Sequence, residues 1–169
     1  TAIYLTLYMT IIPFFIGGIL GFIAGLLLVL TGPRGILENR LVFFVLDKVT
    51  SIFRAIPFII LLALINPFTR IIVGTGIGPT AALVPLSLAV FPFFARQVQV
   101  VLSELDRGVI EAAQASGATF WDIVGVYLRE GLPDLIRVTT VTLISLVGET
   151  AMAGAIGAGG LGNVALTYG

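Results

Sequence analysis

The 169-residue chain contains no cysteine and no histidine, and only 11 % of its residues are charged. Without Cys there is no disulfide, no thiolate nucleophile and no Fe–S ligand; without His the commonest metal ligand and general base is missing. Lysine occurs once, as Lys48 in "VLDKV", so no G-x-x-x-x-G-K-[ST] phosphate loop exists in the sequence. Nine basic residues balance nine acidic ones, and their scatter supplies no stripe to displace the counterions of a nucleic acid. The expectation is a chain with no catalysis of its own, no cofactor, no metal and no nucleic-acid partner.

What fills the chain is apolar: 58 % of residues are hydrophobic and the mean hydropathy is +1.13. That excess exceeds what one soluble core can bury, so the chain belongs in membrane lipid. Four spanning helices are expected, at about 2–30, 41–65, 79–102 and 136–156, in a single all-α, polytopic domain. The first is free of charge, too long for a signal peptide and without a basic flank before it. Pro13, Gly17, Gly18, Gly21 and Gly25 give it the means to tilt or kink. The second carries Asp47, Lys48 and Arg54 in its first half, which places that half at an interface with Arg54 snorkelling or paired. Pro85 and Pro92 are accommodated in the third because neighbouring helices re-satisfy the freed carbonyls. The fourth is rich in Ser and Thr and is interrupted by Glu149. The chain opens at Thr1 without Met and closes at Gly169 after a glycine-rich turn, so it reads as a piece of a longer protein.

Charge sets the orientation. With the 32–40 turn in the cytoplasm, alternation puts 66–78 outside and 103–133 inside, and every Lys and Arg except Arg70 then falls on the inner side. The positive-inside rule selects this arrangement. The stretch "EAAQASGATFWD", Glu111 to Asp122, is therefore cytoplasmic.

This stretch reads as two short helices. Asp106 caps the first, 107–116; Gly117 supplies the left-handed residue that stops it; Thr119 and Asp122 form a capping box that opens the second at Phe120. The first exposes Ala112, Ala113 and Ala115 with Glu111 and Gln114 beside them, a surface another protein can approach closely. Trp121, Ile123, Val124, Tyr127 and Leu128 of the second are expected to hold the pair against the membrane helices.

"EAAQASG" resembles the cytoplasmic coupling motif of ABC-importer permeases, E-A-A, three residues, Gly, with Glu111, Ala112, Ala113 and Gly117 at the matching positions. The motif's I-x-L-P close is absent: "YLRE", Tyr127 to Glu130, stands there, with no proline until Pro133. "SIFRAIPFIILL", "PFTRIIVGTGIG" and "AMAGAIGAGGLG" are similar to the methionine-import permeases of bacteria. The resemblance implies a type I ABC importer permease core in the bacterial inner membrane, two copies of which pair around a central path. It implies two cytoplasmic ATPase subunits that receive Glu111, Ala112, Ala113, Gln114, Ala115 and Ser116 up to the Gly117 turn. It implies an extracytoplasmic substrate-binding lipoprotein, and a fifth spanning helix beyond Gly169. Met152 would then sit beside an outer gate, and Glu149 stands where the family's better-known members place Tyr.

"GAGGLG", Gly157 to Gly162, formally satisfies the dinucleotide pattern G-x-G-x-x-G. That pattern has meaning only between a strand and a helix with an acid about 20 residues on, and no acid follows Glu149. It reads as a re-entrant or surface turn ending the fourth span. Glu149 has two readings: a carboxylate facing the path or the seam between two copies, or an interfacial residue bonded to hydroxyls such as Thr150. The expected function is a methionine permease subunit of an ATP-driven importer. The alternatives are the same architecture for another small amino acid or osmolyte, an ion-driven carrier or channel subunit using Glu149 and Arg54, and a non-transporting membrane scaffold.

Overall fold

The computed structural model of the chain describes residues 1–169: eight α-helices and no strand. Three helices are long and apolar enough to cross a membrane. They are α1 (Ala2–Thr31), α4 (Pro79–Ser103) and α7 (Leu132–Ala153, followed by a kinked segment to Ala158 in which Ile156 and Gly157 leave helical backbone).

The expected second span is not one helix. It divides into α2 (Arg40–Ala55) and α3 (Phe58–Val73), which meet at 111°. Pro57 explains the break: it has no N–H to give, and it forces Ile56 before it to an extended backbone, φ −80° and ψ 120°. The outer segment also shortens, because α3 continues through Pro67 to Val73 and only residues 74–78 connect it to α4. At the other end α7 starts at Leu132, four residues before the expected 136, since Pro133 fits the first helical turn, where its missing N–H costs nothing.

The first helix does not break at Pro13, which sits buried inside a continuous 30-residue helix. Its glycines serve close approach instead. A Cβ on Gly17, Gly21 or Gly25 would lie 2.7, 2.7 and 2.6 Å from the carbonyl oxygens of Ser87, Phe91 and Ala95 in turn. The numbers rise together on both helices, so α1 and α4 run parallel, backbone against backbone, through a small-xxx-small seam. Gly18, one residue round the helix, meets nothing within 4 Å. In the apolar interior, Thr10, Thr31 and Thr142 donate to the carbonyls of Thr6, Leu27 and Val138 at 2.7, 2.6 and 2.7 Å, within their own helices, whereas the buried Thr50 hydroxyl has no partner.

Two cores divide the bundle along its length. The outer one gathers Met9, Leu86, Val90, Leu146 and Ala153 from α1, α4 and α7. The inner one joins Leu30, Val98, Leu102 and Val138 of the same helices to Ile110 of α5 (Arg107–Ala115) and Ile123, Val124 and Tyr127 of α6 (Phe120–Glu130). The glycine-rich stretch after α7 is not a terminal turn. Gly157, Gly159 and Gly160 take positive φ, and a further helix, α8 (Leu161–Tyr168), follows. Thr6 of α1 caps it, its Oγ1 accepting from the Leu161 N–H at 2.8 Å.

Candidate functional site

The cytoplasmic helix pair forms as its sequence dictates. Asp106 accepts from the Gly108 N–H at 2.8 Å and opens α5; Gly117 turns the chain at φ +82°. Thr119 Oγ1 accepts from the Asp122 N–H at 3.3 Å while Asp122 Oδ2 accepts from the Thr119 N–H at 2.9 Å, a complete capping box. The hydrogen bonds from the Thr119 backbone and side chain hold the Asp122 carboxyl below its ordinary range.

Glu111, Ala112, Gln114, Ala115, Ser116 and Gly117 are all exposed, as a docking surface requires. Ala113 departs from the expectation: it turns inward, half-buried against the inner core. Ile110 and Ala113 are the α5 anchors, and the outward face is left to Ala112, Ala115 and Ser116. On α6, Ile123, Val124 and Tyr127 are buried as expected, but Trp121 is 76 % exposed and stacks edge to face on Phe120 with ring centroids 5.1 Å apart. It lies outside the inner core and does not anchor the pair. Burial raises the Tyr127 phenol above its ordinary range, against the opposing charge of Arg107.

Glu149 and Met152 lie one helical turn apart on α7. Met152 is exposed; Glu149 is half-buried and makes no hydrogen bond or ion pair within the chain. The hydroxyl suggested as its partner is otherwise engaged, because Thr150 Oγ1 donates to the Val147 carbonyl at 2.6 Å.

A second cluster escaped sequence reasoning. Arg96 of α4 donates to Asp47 Oδ1 at 2.7 Å, Ser51 Oγ at 2.8 Å, the Asp47 carbonyl at 3.2 Å and the Gln99 side chain. It ties α2 to α4 with one guanidinium, largely out of solvent. The available signal was the pairing of two charges assigned to the same membrane face, Asp47 and Arg96, on consecutive spans. Arg54 finds a partner of another kind, lying over the Phe93 ring at 5.7 Å.

Long apolar helices with a capped helix pair grown into their common core define a polytopic, all-α membrane protein. The family described as "Binding-protein-dependent transport system inner membrane component" matches residues 17–167, and the chain belongs to it. It is 52 % identical over 165 residues to the "Probable D-methionine transport system permease protein MetI" of Pasteurella multocida (strain Pm70), covering 97 % of this chain and 76 % of that one. It is 48 % identical over 150 residues to the "D-methionine transport system permease protein MetI" of Escherichia coli (strain K12), covering 88 % of this chain and 69 % of that one. Among solved structures, the permease chain of "Inward facing conformations of the MetNI methionine ABC transporter" superposes with a TM-score of 0.95 at 48 % identity, over 99 % of this chain and 78 % of that one. A more distant "amino acid ABC transporter with histidines" shares the fold at a TM-score of 0.78 and 20 % identity, over 98 % of this chain and 75 % of that one. The chain is thus an all-α permease of the inner membrane, with the type I importer core.

Proposed function

We propose that the chain is the methionine-conducting permease subunit of an ATP-driven importer and works as a pair of copies. Each copy would receive one cytoplasmic ATPase on α5, and an extracytoplasmic binding lipoprotein would deliver L- or D-methionine to the outer side. Hydrolysis belongs to the ATPases, and this chain is the non-catalytic conduit. The observation that carries the reading is the unit α5–Gly117–α6. Its outward face is small and exposed, while its inward face shares one core with the ends of α1, α4 and α7.

That construction converts a push on α5 into a tilt of three spanning helices. When the ATPases close, the docked helices move together; α4 and α7, packed into the same core, rock and open the path outward, and hydrolysis reverses the motion. A small cavity of about 70 Å³ lies in the outer half beside Asn66, Thr69, Ala153 and Gly157. The exposed face of α7 favours a path that runs between two copies. Glu149 and Met152 are assigned to that path: the thioether offers a soft apolar contact, and the unpartnered carboxylate offers the charge complement of an α-ammonium group.

The test is ATP-dependent uptake of radiolabelled methionine into proteoliposomes holding the full-length chain, its ATPase and its binding protein. Uptake competed chiefly by L- and D-methionine is expected. Flux that ignores ATP would overturn the importer reading, and competition by a different amino acid would overturn the substrate. Uptake unchanged by Glu149→Gln would remove Glu149 from the path.

A further inference from the structure

A cleft of about 380 Å³ opens beside α5, between the turn that follows α1 and the end of α4. Arg34, Arg107, Gln114, Tyr127 and one carboxylate, Glu111, face it; Val29, Leu102 and Leu105 give it an apolar floor. Arg107 Nη2 donates to the Arg34 carbonyl at 2.9 Å, which fixes both residues at the mouth. Beyond that bond neither guanidinium has a partner in the chain: the only ion pairs are Arg96 with Asp47 and Arg137 with Asp134, and the Arg34 side chain makes no hydrogen bond. Arg34 also holds a left-handed backbone, φ +62°, the only non-glycine residue that does.

We propose that this cleft binds the headgroup of an anionic phospholipid from the cytoplasmic leaflet, a phosphodiester whose headgroup carries hydroxyls. The Arg34 guanidinium and the unused donors of Arg107 match the phosphodiester oxygens through charge-assisted hydrogen bonds. Among the lining residues Glu111 offsets one of the two guanidiniums, and beside them the Glu38 carboxylate accepts from the Arg34 backbone N–H at 3.1 Å. The cleft therefore suits a singly charged diester better than a phosphate dianion, and Glu111 accepts from a headgroup hydroxyl. The place fits a lipid: α1 and α4 both end here, and basic pockets between helices at the cytoplasmic headgroup level take anionic headgroups. The apolar floor receives the glycerol end of the acyl chains.

Glu111 and Gln114 border both the cleft and the docking surface, while Arg34, Val29, Leu102 and Leu105 belong to the cleft alone. Arg107, Ile110, Glu111 and Gln114 recur at the three- and four-residue spacing of one stripe of α5, whereas Ala112, Ala115 and Ser116 lie on another. One short helix therefore presents one stripe to a protein and another to a lipid. The inference rests on α5 being the cytoplasmic docking helix, and the experiment separates the two.

The purified complex, full chain with its ATPase, is placed in nanodiscs of phosphatidylcholine doped with phosphatidylglycerol or phosphatidylethanolamine, and retained lipid is read by native mass spectrometry. Phosphatidylglycerol is expected to persist on the wild type and to bind about tenfold more weakly to Arg34→Gln, the loss of one charge-assisted contact. Arg34→Lys should restore part of that loss, and both variants keep a non-glycine residue at the same backbone position. Equal retention by wild type and Arg34→Gln would overturn the site, as would equal retention of phosphatidylethanolamine. Displacement of the lipid by millimolar inorganic phosphate would reassign the cleft to a free anion. A complex that transports methionine but retains no lipid sinks the cleft alone, whereas a complex without ATP-driven transport sinks the docking reading on which it rests.

Discussion

Single residues set how closely the helices of this permease approach. Gly21 lies against the Phe91 carbonyl, where an added Cβ would sit at 2.7 Å; Gly18 faces open space. Gly21→Ala should therefore push α1 off α4 and cost roughly 1–3 kcal/mol, as overpacking does. Gly18→Ala should be neutral or slightly stabilising through helix propensity. Thermal inactivation of the two variants in detergent checks the pair, and equal midpoints would dismiss the seam. Arg96→Lys keeps the charge but loses the fork that reaches Asp47, Ser51 and Gln99 together. A loss of about 1–3 kcal/mol is expected from the contacts abandoned, read in the same assay. The glycines of the first span were plain in the sequence, but their use was not: spacing of four permits a kink or a close packing, and only the position of α4 decides. Trp121 was misjudged for a related reason, since an aromatic in a first turn points to either side until the neighbouring helices are placed.

At the scale of the element, the cytoplasmic pair was the most legible part of the molecule. Caps and a left-handed glycine are local devices, so Asp106, Gly117, Thr119 and Asp122 act through bonds to residues within three positions. The break between α2 and α3 is equally local in origin, at Pro57, yet the apolar run across it masked the boundary. A Cβ at Gly117 would meet nothing, so Gly117→Val is opposed by its φ of +82° alone. A cost of about 1–2 kcal/mol should distort the turn between α5 and α6. We expect methionine uptake to fall severalfold with the spanning helices still inserted, measured as uptake per inserted copy. The capping box also carries a pH dependence. The Asp122 carboxyl titrates lower when folded than when unfolded, so its stabilisation is full above the ordinary carboxylate range. It is lost as pH falls through the lowered folded value. Acid should loosen the start of α6, and Asp122→Asn should flatten that response in hydrogen exchange of the Thr119 amide.

Across the whole molecule, the four charged or polar groupings divide by depth. The capped pair, the Arg34–Arg107 cleft and the Arg96 tie sit toward the inner end, and Glu149 stands apart on α7. Composition made the membrane class readable because it is a sum over the chain, and the sum of basic residues gave the expected orientation. The seam, the tie and the cleft are pairings between distant segments, and no single stretch of sequence announces them. The bent pair has a consequence for the lipid around it. Each arm has 16 residues, about 24 Å of helix, against roughly 30 Å of hydrocarbon. Leu41, Phe44 and Ile52 on one arm and Ile60, Phe68 and Ile71 on the other remain exposed. An arm of that length standing alone falls short of the full hydrocarbon thickness, and a thinner bilayer matches it better. Transport should then run faster in lipids of short acyl chains than in long ones at equal insertion, so that membrane thickness becomes a control on methionine entry.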